Sequence, residues 1–235
     1  MNTKRIYALF LRQIYLLIHN PMRFINIFLW GILDIVVWGF LTQYLDSVQQ
    51  LNFSFVPLLL GAVVLWNLLI RVQQGVVFSF FEDIWSRNFL NLFASPLKVK
   101  EYVAGLVLTS VTTSIGALVM LYLFAILIAG FSLLSLGSGL LVFLIILFAF
   151  GTALGVFAAA MGLRFGPSAE WVAWTVPFLL MPFSGIYYPV SALPDYLEPI
   201  PRVIPTSYAY EGMRNILLAQ PLATSEIIWG IVLAL

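Results

Sequence analysis

Apolar residues run along this chain in long blocks separated by short polar breaks. A helix needs about 20 mostly apolar residues to cross the hydrocarbon core of a bilayer. Blocks of that kind lie at roughly Phe24–Leu45, Phe55–Phe78, Tyr102–Ala129, Gly137–Leu163 and Trp171–Tyr188. A sixth block begins near Ile227 and reaches Leu235 after about nine residues, too few to cross. The natural C-terminus is therefore expected to lie further on. The strand alternative fails, because barrel strands alternate apolar and polar positions, whereas Leu140–Phe150 is apolar or small throughout. The pattern predicts an all-α, polytopic transmembrane helical bundle of six spans, the last truncated, forming a single domain over residues 1–235.

Residues 3–19 carry a different pattern. Lys4, Ala8, Arg12, Tyr15 and His19 share one side of a helix, and Ile6, Leu9, Phe10, Gln13, Ile14 and Leu17 the other. A basic amphipathic helix of this kind lies in the headgroup plane; the plainer reading is an extension of the first span. No compact apolar core is followed by a small-residue cleavage site, so a cleavable signal peptide is not expected here. Basic residues set the orientation. With the N-terminus inside, the inner segments hold Lys4, Arg5, Arg12, Arg23, Arg71, Arg87, Lys98, Lys100 and Arg164, against only Arg202 and Arg214 outside. The N-terminus and the segments 79–101 and 164–170 are thus expected in the cytoplasm, and those near 46–54, 130–136 and 189–225 outside.

Prolines crowd the last third of the chain. Pro177 and Pro182 fall inside the fifth block, where each removes a backbone donor and kinks a helix. Pro189, Pro194, Pro199, Pro201 and Pro205 punctuate the stretch after it. That stretch is too apolar for a solvated loop and too broken for a span. Non-helical backbone at membrane depth needs a cover of protein or a cavity, so short, partly re-entrant helices are expected between spans five and six.

Composition agrees with lipid as the surrounding solvent. The chain is 62% hydrophobic and 9% charged, where soluble domains have about 45–50% and about 25%. The net charge of +1 offers no attraction to nucleic acid, and there is no cysteine for disulfide, thiol or metal chemistry. His19 is the only histidine, which leaves no zinc site and no histidine-based triad. It reads as an interfacial polar residue. No G-x-x-x-x-G-K-[ST] phosphate loop is present, so ATP-driven work would need a partner to bind the nucleotide.

Few polar positions stand out. Asp34 falls midway along the first block. A charge at the bilayer centre costs at least about 2.5–3.5 kcal/mol, so Asp34 is either a pathway residue or a hydrogen-bond partner of a neighbouring helix. Glu82-Asp83-Ile84-Trp85-Ser86-Arg87-Asn88 is a mixed-charge loop leading into Phe89, Leu90, Leu92 and Phe93, and Ser95-Pro96 ends it. It reads either as a docking surface for a soluble partner or as the solvated end of span two. Gly151, Gly155 and Ala159 recur every four residues and predict close helix packing. Trp171, Trp174, Tyr187 and Tyr188 fit an interfacial aromatic belt.

The run Ser184-Gly185-Ile186-Tyr187-Tyr188-Pro189-Val190-Ser191-Ala192-Leu193-Pro194 continues through Ile204-Pro205-Thr206-Ser207-Tyr208 to Glu211-Gly212-Met213-Arg214. It resembles the late segment of the ABC-2 type transporter permease family, with S-G-x-x-[FY]-P-x-x-x-L-P, then P-x-[ST]-[YH], then E-x-x-R. The Ser95-Pro96 element and the basic N-terminal helix before six spans are similar too. The resemblance implies the permease subunit of an ABC exporter in the cell membrane, built as two permease copies or homologues with two ABC ATP-binding subunits. This chain would bind no cofactor, with ATP and Mg on the ATPase. The N-terminal helix would be a connecting helix. Glu82, Asp83, Trp85, Arg87, Phe89, Ser95 and Pro96 would belong to the coupling helix. Ser184, Gly185, Tyr188, Pro189, Pro194, Pro205, Glu211 and Arg214 would form the outer re-entrant motif. Spans one, two and five would line the route. Asp34, Trp38, Trp66, Asn67, Phe178 and Phe183 are its candidates, with Phe28, Trp30 and Phe40 as further wall residues. Asp34 has no counterpart in the family pattern.

An aromatic and aliphatic wall suits a drug, an antibiotic or a lipid, and a lipid-linked polysaccharide is the alternative cargo. From other classes, a membrane-embedded lipid-modifying enzyme would need a polar cluster such as Asp195, Glu198, Arg202, Glu211 and Arg214. A non-catalytic assembly or channel subunit is the third reading.

Overall fold

The computed structural model describes residues 1–48, 56–221 and 224–235. Among these residues every regular element is helical. The outer segment expected near 46–54 lies outside the described residues from residue 49 onward, as does Phe55, the expected start of the second span.

Helix α1, Thr3–Ile18, is capped by Asn2, whose side chain accepts the Lys4 N–H at 3.0 Å. Leu9, Gln13 and Leu17 on its expected apolar side are buried. Helix α2, Pro21–Val48, starts on a proline, where a missing N–H costs nothing. Helix α3, Gly61–Trp85, follows a π-helical turn, Val56–Leu60. After a short break comes α4, Phe89–Ala94. Helix α5, Val99–Ala129, stops at Gly130, which takes the left-handed conformation with φ 64° that glycine adopts without steric cost. Helix α6 is Gly139–Phe165, α7 is Glu170–Leu180, α8 is Pro205–Leu217 and α9 is Thr224–Ala234.

Among the described residues four segments are long and apolar enough to cross a membrane: Pro21–Val48, Val56–Trp85, Val99–Ala129 and Gly139–Phe165. The least apolar of them, Val56–Trp85, is also the most enclosed by protein. Its Asn67, Arg71, Gln73, Gln74, Ser79 and Asp83 explain why: polar groups at membrane depth must face protein or a cavity, not lipid. Helix α3 is accordingly the hub, packed by α2, α5, α6 and α7. Helix α6 runs parallel to it on the small-residue seam. A Cβ at Gly155 would lie 2.8 Å from the Val76 Cβ, and one at Gly151 3.0 Å from the Val72 Cβ. Helix α5 runs antiparallel to α3, with Ser110 Oγ donating to the Val72 carbonyl at 2.5 Å.

Two expectations change. The fifth block does not form one helix to Tyr188: α7 ends at Leu180 after 11 residues and gives way to a tight turn at Met181–Phe183. At about 1.5 Å per residue it falls well short of the hydrocarbon core of about 30 Å. The reason lies in its prolines. Pro177 carries no N–H for the Ala173 carbonyl, which accepts instead from Gln73 Nε2 of α3 at 2.8 Å. Arg71, counted among the charges of the inner segments, does not lie at an end of the bundle. It sits at the middle of the α3 span.

Candidate functional site

Four places gather polar chemistry, and the hub helix touches the first three of them.

The first is the groove between α2, α3 and α7, with a volume of about 410 Å³. Asp34, Trp38, Trp66, Asn67 and Phe178 all line it, joined by Trp30. Asn67 Nδ2 donates to Asp34 Oδ2 at 3.0 Å and to its own helix at the Val63 carbonyl, also 3.0 Å. Trp38 stacks on Tyr187 with ring centroids 4.9 Å apart. Phe28, Phe40 and Phe183 do not line the groove; Phe40 is on the exposed side of α2 and Phe28 meets Phe24. Sequence reasoning missed Arg71, Gln73, Gln74, Trp174 and Tyr187, which the fold turns toward this space. Trp174 and Tyr187 therefore do more than belt the interface, while Trp171 stays exposed. The available signal was the polar set at 67, 71 and 74, which repeats at helical spacing inside an apolar block.

The second is a cavity of about 340 Å³ where α1, α2, α3 and α5 meet. Gln13, Arg23, Arg71, Ser79, Glu82 and Trp85 are among its walls. Arg71 thus borders both spaces. Arg23 approaches Glu82 at 3.6 Å.

The third is the charged end of the bundle. Glu82 and Asp83 are not in a loop, because α3 continues through Trp85. Asp83 is fully buried; its carboxylate accepts from Arg12 Nη2 at 2.5 Å and from the Tyr102 hydroxyl at 2.8 Å. It clamps α1, α3 and α5 and presents nothing to a partner. Glu101 ties α1 to the start of α5, accepting the Asn2 N–H at 2.7 Å and the Lys98 N–H at 3.1 Å. Arg5 reaches both Glu101 and the Pro96 carbonyl. The chain breaks at Ser86–Asn88, with Arg87 at φ 52°. Helix α4 then sits on an aromatic base: Phe89 and Phe93 pack on Tyr102 at 5.8 and 5.5 Å, and Phe89 meets Phe80 edge-on at 6.1 Å. Leu90 on its free side is 82% exposed. Trp85, Arg87, Ser95 and Pro96 are exposed around it.

At the opposite end the S-G and E-x-x-R motifs meet. Arg214 donates to Glu211 at 2.6 Å and to the Gly185 carbonyl at 2.7 Å. Glu211 accepts the Val190 N–H at 2.7 Å. Ser184, fully buried, donates to the Leu180 carbonyl and accepts from Thr206, both at 2.8 Å. Gly185 has φ 72°, and a Cβ there would lie 3.3 Å from Glu211 Oε1. Tyr188 donates to the Pro182 carbonyl at 2.7 Å. Pro189 leads the turn Val190–Ala192, Pro194 opens another turn, and Pro205 is the first residue of α8. The motif is a lock that folds the 184–190 turn onto α8. Of the five polar residues grouped there in sequence, four form two pairs, Glu198–Arg202 and Glu211–Arg214.

A family model described as ABC-2 type transporter matches residues 4–218. No curated protein matches the chain.

Proposed function

Because this chain belongs to the ABC-2 type transporter family, we propose that it is the membrane-spanning permease subunit of an ATP-binding cassette exporter. ATP and Mg are held by a separate ABC ATP-binding subunit, and two permeases work with two such subunits. Helices α7 and α9 belong to the fifth and sixth passes, the fifth broken at Leu180. The end that holds α1 and α4 faces the cytoplasm.

The observation that carries this reading is α4: a short helix standing clear of the spans on a fixed aromatic base, with Leu90 turned outward. Its base is joined to the last turns of α3 and the first of α5. A push from a closing ATPase therefore reaches the hub helix directly. Tilting α3 changes the groove that it shares with α2 and α7, so nucleotide selects between two arrangements through contacts made in only one of them. The cargo is an amphipathic molecule such as a drug, an antibiotic or a lipid, because the groove wall is mainly aromatic and aliphatic.

The test is co-purification with the ATP-binding subunit. Leu90→Asp and Arg87→Glu should each weaken association about tenfold, a change of about 1.4 kcal/mol, with thermal stability unchanged because both side chains are exposed. Full retention of the ATPase by both variants would move the docking surface elsewhere. A chain that binds no ABC ATPase under any condition would end the permease reading.

A further inference from the structure

Asp34 and Arg71 occupy the middles of their spans, Pro21–Val48 and Val56–Trp85, and both line the α2–α3–α7 groove. Opposite charges at such depth gain most by closing on each other, since attraction grows as the medium becomes less polar. These two do not close. No ion pair joins them among the described residues. Asp34 takes one hydrogen bond from the neutral Asn67 amide. Arg71 reaches only neutral oxygens, Gln74 Oε1 and, at 3.5 Å, the Asn26 carbonyl. Each charge keeps capacity for a partner from outside.

The surroundings of the two differ. Trp30 and Trp38 stand one helical turn before and after Asp34, and Tyr187 stacks on Trp38. Aromatic faces beside a carboxylate hold an ammonium. Arg71 presents a guanidinium fork suited to a phosphate or carboxylate. A groove of about 410 Å³ falls within the usual range of ligand sites, about 300–1,000 Å³.

We propose that this groove binds a zwitterionic amphiphile, with its ammonium at Asp34 against Trp30 and Trp38, its acidic group at Arg71 and its apolar part along Pro177 and Phe178. The inference rests on the permease reading and names the substrate class of that pathway. A singly charged amphiphile leaves one of the two protein charges unanswered and binds more weakly.

The full chain in neutral maltoside micelles offers its groove tryptophans as reporters. Fluorescence is followed during titration with dodecylphosphocholine, dodecyl phosphate or dodecyltrimethylammonium. The zwitterion should bind at least about tenfold more tightly than either singly charged probe. Asp34→Asn should transfer the preference to dodecyl phosphate and Arg71→Gln to dodecyltrimethylammonium, with Asp34→Glu and Arg71→Lys as charge-keeping controls. Repeating the titration in phosphatidylcholine and phosphatidylglycerol nanodiscs separates the two sources of this chemistry. Competition in the first alone identifies a membrane lipid; undiminished binding in both identifies a non-lipid cargo. Equal affinity for all probes, or unchanged preferences in both charge-removing variants, would overturn the inference. ATPase co-purification of the same variants tells the two readings apart: its retention alongside lost charge preference sinks only the zwitterion.

Discussion

Asp83 shows what a single side chain contributes here. Adjacent helix positions point about 100° apart, so Glu82 and Asp83 have different fates. Glu82 is partly exposed near Arg23, whereas Asp83 has 0% side-chain exposure and binds Arg12 and Tyr102. Removing one partner of a buried pair costs about 3–5 kcal/mol. The low end applies to Asp83→Asn, since Arg12 is 27% exposed and reaches water. The detergent-solubilised variant should melt several degrees lower. Arg12→Gln combined with Asp83→Asn should cost less than the sum of the two, because the pair fails as a unit. An unchanged melting temperature for Asp83→Asn would show that the clamp holds nothing. This role was not legible in the sequence. The charge-rich stretch 82–88 reads as a loop, and only the fold brings Arg12 and Tyr102 to it. Arg71 was counted with the inner segments because the expected block ended at Phe78, whereas the span runs on to Trp85 and leaves Arg71 at its middle. Asp34 was legible as a polar position at membrane depth and Asn67 as a pathway candidate, though not as partners.

Whole elements were easier to read where the physics is local. Length and apolar content locate four spans, and the Gly151–Gly155–Ala159 repeat announces a close seam, because these properties need no knowledge of neighbours. The partner of that seam, α3, could not be named from it. How α7 accommodates Pro177 was missed because it depends on a contact across the fold. Pro177 frees the Ala173 carbonyl, and Gln73, 2% exposed, satisfies it at 2.8 Å. Leaving a buried acceptor unpaired costs about 1–3 kcal/mol. Gln73→Met should therefore lower stability by that amount. In a Pro177→Ala background the new backbone N–H can serve the Ala173 carbonyl, so Gln73→Met should cost distinctly less there. A thermal-unfolding double-mutant cycle with no coupling would mean that Gln73 does not substitute for the missing donor.

Across the whole molecule, charge and helix direction agree. Helix α3 runs parallel to α6 and antiparallel to α5, and Asn67 opposite Asp34 with Arg23 near Glu82 makes α2 antiparallel to α3 as well. The start of α2, the end of α3, the start of α5 and the end of α6 therefore share one end of the bundle with α1. That end holds Lys4, Arg5, Arg12, Arg23, Arg87, Lys98, Lys100 and Arg164, eight of the eleven basic residues. Moving Arg71 to mid-span reduces the inner set by one and leaves only Arg202 and Arg214 opposite, so the bias survives the correction. Basic residues stay on the cytoplasmic side during insertion, so the proposed permease is expected to carry α4 inside and the 184–214 lock outside. The chain contains no cysteine, so a single introduced thiol reports its own side. Ser95→Cys and Ser191→Cys replace exposed serines at opposite ends. A membrane-impermeant maleimide should label Ser191→Cys in intact cells and Ser95→Cys only in inverted vesicles. The reverse pattern would put α4 outside, out of reach of any cytoplasmic ATPase, and the route of force from nucleotide to groove would be lost with it.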